Sequence, residues 1–307
     1  MSLLLFPGQG AQKVGMGKDL AEAFPAARET FAAIDAALGE PLTRVMWEGP
    51  EERLQLTEHT QPAILAHSAA VLAVVKQRLG TVAAAAGHSL GEYSAYVAAG
   101  ALPVVEGAKL VRMRGELMRD AGERRPGAMT AVLGLATAEV ERACLAVSNE
   151  TEIVVAANLN TPDQTVISGD PPAVQRAGAA CKSGGARRVL PLKVSGAFHS
   201  PLMVPATHGL RAALAEAHFG DPDFPVVANA SAEPVQSALE ARRLLAEQLT
   251  APVRWVECVR RLAELAPGAR FLELGPGNVL SGLVKRILPD VQCLSLGTAP
   301  ELARFLA

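Results

Sequence analysis

No two of the four cysteines, Cys144, Cys181, Cys258 and Cys293, stand close in sequence, and no C-x-x-C pair occurs. That spacing supports neither a disulfide framework nor a zinc site, so each reads as a small buried hydrophobe and no metal is expected. A marked excess of charge of either sign is missing as well. A formal net charge of −2 gives no overall pull toward nucleic acid and leaves only local basic patches to weigh. No apolar run reaches the roughly 18–20 residues needed to span a bilayer. The opening "MSLLLFPGQG" has too short an apolar stretch, and no basic segment before it, for a secretory signal. A cytoplasmic protein with no membrane association is the expectation.

What is present is ordinary for a globular protein. Half of the 307 residues are apolar and a fifth are charged, enough for one large core with or without a smaller insert. Leu3-Leu4-Leu5-Phe6 reads as a buried strand closed by Pro7-Gly8. Helical patterns follow over 19–38 and 60–79, the second with Thr60 as N-cap, and then a strand over 82–86. Helices are expected over 90–99 and over 103–121, the latter starting at Pro103.

The stretch "AGERRPGAM" interrupts this order, and the next seventy or so residues have their own. They read as strand 128–135, helix 137–147 capped by Thr137, strands 152–157 and 164–168, helix 171–184 and strand 187–192. That β-α-β-β-α-β order is the split βαβ arrangement of ferredoxin-like units. The remainder alternates again, with strands near 226–229, 270–274 and 291–295 and helices near 201–217, 237–249, 255–265 and 278–287. The expected fold is α/β: a mostly parallel sheet covered by helices, built from residues 1–124 and 198–307, with residues 125–197 as an inserted small subdomain.

Gly87-His88-Ser89-Leu90-Gly91 reads G-x-S-x-G between a strand and a small-residue helix. Such an elbow lifts a Ser hydroxyl out of the backbone at a helix N-terminus, where free N–H groups favour negative charge. A Ser hydroxyl attacks only if a base takes its proton and donors hold the oxyanion. Of six histidines, His88 is adjacent but points away in a sharp turn and reads as a packing residue; His59 lies in a polar stretch before a helix and reads as solvated. His67, His208 and His218 fall within helical patterns. His199 differs: "KVSGAFHSPLM" sets it after a strand and a Ser-Gly-Ala turn, where catalytic residues of open α/β sheets collect. No acid stands out as its partner, which suggests a Ser/His dyad with the His held by something other than a carboxylate.

In "VVEGAKLVRMRGELM", Leu110, Arg114 and Met118 share one helix face, with Arg112 and Arg119 on the other. Arg114 is either a planar fork for a substrate carboxylate or an Arg snorkelling from the stripe's edge. Two glycine loops, "GQGAQKVG" and "GPGNVLSG", fail the dinucleotide pattern G-x-G-x-x-G, with Lys13 and Leu280 in the third glycine's place. The first can still offer backbone N–H groups to an oxyanion. Lys182, Arg187, Arg188 and Lys193 gather near the end of the insert and Lys285-Arg286 near the C-terminus; such a group is a solvated face or a receiver for an acidic protein or phosphorylated ligand.

Eight motifs then occur in order: "FPGQGAQ", "GHSLGEYSA", "RMRGELM", "GAM", "NLNTPDQTVISG", "GAFHSPLM", "EQLTAPVRW" and "ELGPGNVLSGLVKR". Over nearly the whole chain they resemble the malonyl-CoA:acyl-carrier-protein transacylases of type II fatty acid synthesis and the related acyltransferase domains of polyketide synthases. The resemblance implies an α/β-hydrolase-like large subdomain with a ferredoxin-like insert. It also implies Ser89 as nucleophile, His199 as base and Arg114 as the partner of malonyl's free carboxylate. Backbone N–H groups of Gln9 and Leu90 would form the oxyanion hole, and the backbone carbonyl of Gln248 would orient the His. Leu90 and Phe198 resemble malonyl-selective members, Phe198 crowding an α-methyl branch at a cost of about 1–3 kcal/mol. Implied substrates are malonyl-CoA and a phosphopantetheinylated acyl carrier protein, an acidic, transient partner, with no permanently bound cofactor and a monomeric enzyme. Three rivals stay open: a discrete acyltransferase of a polyketide assembly line, a serine esterase of the same fold, and a carrier-binding scaffold without activity.

Overall fold

The computed structural model describes residues 1–194 and 196–307. Its strands are β1 (Ser2–Phe6), β2 (Val82–Gly87), β3 (Ala128–Leu133), β4 (Val154–Thr161), β5 (Gln164–Gly169), β6 (Arg188–Pro191), β7 (Val226–Val227), β8 (Pro234–Val235), β9 (Arg270–Leu274) and β10 (Cys293–Leu296). They form two sheets. One has the order β10-β9-β1-β2-β7-β8, parallel throughout except for the β7–β8 hairpin. The other has the order β4-β5-β3-β6 with every neighbour antiparallel, the strand order of a ferredoxin-like unit.

The central strands explain themselves. Every residue of β1 is buried, as a strand with helices on both faces must be, and so it carries a continuous apolar run rather than an alternating one. β2 is nearly all alanine, which lets the helices on either face come close to the sheet. β1 and β2 run in register to Phe6 opposite Gly87, so both chains leave the carboxyl edge side by side. The loop after β1 therefore lies against the turn after β2, and the Phe6 carbonyl accepts from the His88 N–H at 2.9 Å.

Several elements differ from expectation. The helix expected over 19–38 is two, Lys18–Ala23 and Pro25–Leu38, because Pro25 begins a new helix after an extended Phe24. The helix expected from Thr60 begins at Thr57 with Leu56 as its cap, and Pro62 lies inside it. Thr60 instead donates its hydroxyl back to the Leu54 carbonyl at 2.5 Å. His59 is therefore within this helix, half-buried against Arg112, and not in a solvated lead-in. Ala136, not Thr137, stands at the N-cap of Thr137–Val147. The Ser-Gly-Ala turn expected before His199 includes Ser195, which lies outside the described residues. Short helices at Leu42–Glu48 and Glu51–Gln55, the helix Ala299–Leu306 and strand β8 had no expectation. Among the described residues, no helix is long and apolar enough to cross a membrane.

Candidate active site

Ser89 sits between β2 and the helix Gly91–Ala98 with φ of 52°, a left-handed backbone that L side chains rarely adopt. Two glycines make the turn feasible. A Cβ on Gly87 would lie 1.9 Å from the Gly91 carbonyl, and one on Gly91 would lie 2.1 Å from the Phe6 carbonyl oxygen. The strain aims Oγ outward from the sheet's carboxyl edge.

His199 comes from the far side of the chain and is likewise left-handed, with φ of 56°. Its Nε2 lies 2.8 Å from Ser89 Oγ, and its Nδ1 lies 2.8 Å from the backbone carbonyl oxygen of Gln248. A carbonyl only accepts, so Nδ1 carries the hydrogen and the Nε2 lone pair faces the serine. Burial, followed by the nearby Arg114 charge, pushes the imidazole down to about 3. The ring is thus neutral and ready to accept a proton across the physiological range.

Arg114 lies fully buried in the helix Val104–Arg124, so the inward alternative holds and the snorkelling one does not. Its Nη1 donates to Gln61 Oε1 at 2.6 Å; its Nη2 donates to Gln248 Oε1 at 2.9 Å and to Ser89 Oγ at 3.1 Å. Its guanidinium carbon stands 5.8 Å from the centroid of the Tyr93 ring. Burial pulls the group below its ordinary range, countered by Tyr93 and Glu92, yet an Arg stays charged in proteins. Among the described residues no carboxylate bonds it directly, and its buried Nε–H has no acceptor. A buried guanidinium holding an unused donor beside a serine hydroxyl is chemically able to receive an anion.

The other expected residues fall around this centre. Gln9, half-buried in the loop after β1, accepts from the Thr57 hydroxyl at 2.9 Å through its side chain. Among the described residues the backbone N–H groups of Gln9 and Leu90 have no protein acceptor. Leu90 is fully buried and Phe198 nearly so, Phe198 joining the main core next to His199. His88 packs tilted against Trp255, ring centroids 5.4 Å apart, and bonds Asn160 Oδ1 at 2.9 Å, a packing role as expected. His67 is a core residue, its Nε2 donating to the Gly297 carbonyl, and burial lowers it to about 4. His208 and His218 are exposed. Of the basic cluster, Arg187 and Arg286 both pair with Asp163, while Arg188 and Lys193 are exposed.

Three further polar residues belong to the site. Asn229, just past the end of β7, accepts the Ser89 N–H at 2.7 Å through its Oδ1 and donates to the Gly87 carbonyl at 2.7 Å. Gln61 bonds Arg114 and, through its amide, Thr57 at 2.8 Å. Glu92, fully buried, accepts from the Asn229 N–H at 2.9 Å and from the Gln248 amide at 2.7 Å. Burial raises the Glu92 carboxyl to about 7 despite these donors and Arg114. Each had a readable signal: Gln61 and Glu92 are polar residues inside helices that are otherwise buried, and Asn229 stands at a strand's carboxyl end. Among the described residues no group of three His, Cys, Asp or Glu could hold a metal ion.

An acyl transferase domain model matches residues 3–299. The chain is 45% identical over 284 residues to the malonyl CoA-acyl carrier protein transacylase of Bacillus subtilis, covering 92% of this chain and 89% of that protein. It is 43% identical over 304 residues to the protein of the same name from Escherichia coli K12, covering 98% and 97%. Among solved structures, an acyl carrier protein S-malonyltransferase from Vibrio cholerae superposes with a TM-score of 0.94 at 41% identity, covering 99% of each chain. A malonyl-transacylase solved in complex with its type II polyketide synthase acyl-carrier protein also gives 0.94, at 44% identity and with 99% and 98% covered. With a family model matching residues 3–299 and these relatives covering 92% and 98% of it, the chain that sets this serine, histidine and buried arginine together belongs to the acyl transferase domain family as a malonyl CoA-acyl carrier protein transacylase member.

Proposed function

We propose that this chain moves a malonyl group from malonyl-CoA to the phosphopantetheine thiol of an acyl carrier protein through a malonyl-Ser89 ester. One observation carries the choice of acyl group: Ser89 Oγ is bonded both to His199 Nε2 at 2.8 Å and to Arg114 Nη2 at 3.1 Å, and the Arg114 Nε–H is unused. A base and a carboxylate receptor on one hydroxyl suit a short acyl chain that ends in an acid. His199 Nε2 takes the Ser89 proton as Oγ bonds the thioester carbon. The oxyanion accepts from the Gln9 and Leu90 N–H groups. On collapse the C–S bond breaks and His199 returns the proton to the departing CoA sulfur. When Oγ becomes an ester oxygen it is a poorer acceptor, which frees Arg114 Nη2 to join Nε in gripping the carboxylate. The carrier's thiol then enters, gives its proton to His199, attacks the ester, and Ser89 leaves with that proton. Phe198 beside His199 would crowd an α-methyl branch. No permanently bound cofactor enters these steps.

The same reading treats residues 1–124 and 198–307 as the catalytic subdomain and 125–197 as the insert, in a cytoplasmic monomer that meets an acidic carrier transiently. Incubation with malonyl-CoA and no acceptor tests it. Intact mass and peptide mapping should find malonyl on Ser89, absent from Ser89→Ala. Rapid release of malonate without an adduct would mark an esterase, and no uptake at all would mark a scaffold. One structural relative works with a type II polyketide carrier, so fatty acid and polyketide carriers should be compared as acceptors. Fatty acid elongation requires the former to be preferred.

A further inference from the structure

The mechanism above gives no task to the buried acid beside its nucleophile. Glu92 is fully buried one turn past the nucleophile, pairs with no cation directly, and among the described residues its Oε1 has no hydrogen-bond partner. All its contacts converge on Oε2, which accepts the Asn229 N–H and one N–H of the Gln248 amide. Those two partners are the pieces that hold the site. Asn229 Oδ1 holds the Ser89 N–H, and the Gln248 amide also donates to the Ser89 carbonyl at 3.0 Å.

A primary amide in a buried site can sit either way round, and here the choice has a consequence. Neither a carboxylate oxygen nor a backbone carbonyl can donate, so Glu92 Oε2 at 2.7 Å and, at the longer 3.0 Å, the Ser89 carbonyl both require the NH2 end of Gln248 to face them. The amide oxygen must then face the opposite way, and it is this oxygen that accepts from Arg114 Nη2 at 2.9 Å. Turned over, the amide would present hydrogens to a guanidinium, donor against donor, and drive Arg114 off the serine. A proton on the carboxyl changes nothing in this logic, because Oε2 already accepts twice and the proton would reside on Oε1. The charged and titratable groups around Glu92 are Arg114 from the helix Val104–Arg124, and Tyr93 and Tyr96 from its own helix. Cys258 approaches from the helix Trp255–Leu265.

From this geometry we infer that Glu92, by the shorter of the two contacts to the Gln248 NH2, is a positioning residue that holds that amide in orientation, thereby keeping Arg114 beside Ser89 and strengthening the preference for an anionic acyl group over an uncharged one. The assignment rests on the malonyl-transfer reading. It does not follow from the elbow's need for a compact helix start, since any small apolar side chain would serve packing.

The test compares kcat/KM for malonyl-CoA and acetyl-CoA, with a carrier thiol as acceptor, in the wild type and in Glu92→Ala and Glu92→Gln. Loss of an oriented, charge-assisted contact to Arg114 should lower the malonyl-to-acetyl ratio about tenfold in Glu92→Ala. Glu92→Gln, nearly isosteric, can offer either end to Gln248 and should give a smaller fall in the same direction. It also serves if the alanine variant does not fold. A role in folding alone would lower both donors together and leave the ratio unmoved, which overturns the inference. A second measurement isolates the route. In a Gln248→Met background there is no amide to orient, so adding Glu92→Gln should leave the ratio where Gln248→Met alone puts it. A further independent fall in the ratio would refute action through Gln248. A wild type that takes up no acyl group from malonyl-CoA would instead sink the transferase reading, and the two failures are distinguishable.

Discussion

Replacing Arg114 with Met removes a charge and three hydrogen bonds while keeping an unbranched chain of similar length in the same channel. Stability should change little, because two large terms oppose. Gln61 Oε1 and Gln248 Oε1 each lose a donor, at about 1–3 kcal/mol apiece if they stay buried and unpaired. Against this, a guanidinium with a fully buried side chain and an unsatisfied Nε carries a desolvation penalty of several kcal/mol, by the order of magnitude for buried ions. The net should fall within about 2 kcal/mol, readable as a small shift of the urea midpoint. Activity should behave differently. Removing one member of a buried charge pair with the donor's carboxylate costs about 2–5 kcal/mol, roughly 30- to 5,000-fold in kcat/KM for malonyl-CoA. Acetyl-CoA has no carboxylate, and its turnover loses only the contact from Nη2 to Ser89 Oγ, worth about 1 kcal/mol or some fivefold. Steady-state rates with both donors on one preparation give the answer. Equal losses for malonyl and acetyl, with the fold intact by circular dichroism, would refute Arg114 as the carboxylate receptor.

Gly87→Ala should abolish the folded elbow, since its new Cβ would lie 1.9 Å from backbone atoms of Gly91 that cannot move without unwinding the helix start. A loss of at least about 3 kcal/mol in urea unfolding, or failure to accumulate, is expected; near-wild-type stability would contradict the close approach. Phe198→Leu should relax the pocket beside His199, raising the methylmalonyl-to-malonyl ratio roughly tenfold in a competition assay, within the range a methyl group commands. His67 is held neutral, its pKa near 4, against about 6.5 in the unfolded chain. The unfolded state therefore binds more protons between these values, and stability must fall as pH drops from about 6.5 toward 4. Between pH 7 and pH 5 this residue alone should remove about 2 kcal/mol. His67→Gln should flatten that part of the stability-pH curve, and an unchanged slope would exclude His67 as its source.

The chemistry was more legible in the sequence than its supports were. Ser89 announces itself because only a strand, a tight glycine turn and a helix in succession produce G-x-S-x-G, and each part is a local pattern. His199 stands out by its loop position, and the sequence alone leaves Arg114 between two readings, because helical periodicity gives the face of a side chain but not what lies opposite. The resemblance and the fold then resolve it. A buried polar position in a helix or at a strand's end marks Glu92, Gln61 and Asn229 as candidates, but their partners lie far off in sequence, Asn229 137 and Gln248 156 positions from Glu92 and Arg114 53 from Gln61, and no local pattern names a partner. The misplaced helix starts have another cause. Thr60 reads as an N-cap, but the helix begins at Thr57 and carries Pro62 inside it, because its surroundings bury nearly all of it and tertiary packing outweighs the one lost hydrogen bond. Strand β8 has two residues and pairs only with β7, too short for any periodicity to reveal.

Holding the imidazole with a carbonyl instead of a carboxylate bears on what the acyl-enzyme does next. A carboxylate would stabilise the imidazolium as an ion pair; the Gln248 carbonyl offers only a dipole, which does not offset burial and then the repelling Arg114 charge, so His199 is a weak base near 3. The first step is helped by Arg114 Nη2, which already donates to the oxygen that must lose its proton. The second step has no such help at the incoming nucleophile. A thiol, with a pKa of about 8.5, needs little from the base, whereas water, at about 15.7, needs a great deal. The malonyl ester should therefore wait for a thiol. Loading the enzyme with malonyl-CoA, removing excess donor, and following intact mass with and without pantetheine measures the partition. Transfer to pantetheine should outrun hydrolysis by at least about a hundredfold at equal occupancy, on the scale general-base assistance commonly contributes. Malonate released as fast as malonyl-pantetheine forms would mean that water is activated by a group other than His199, and the reasoning from its weak basicity would fail.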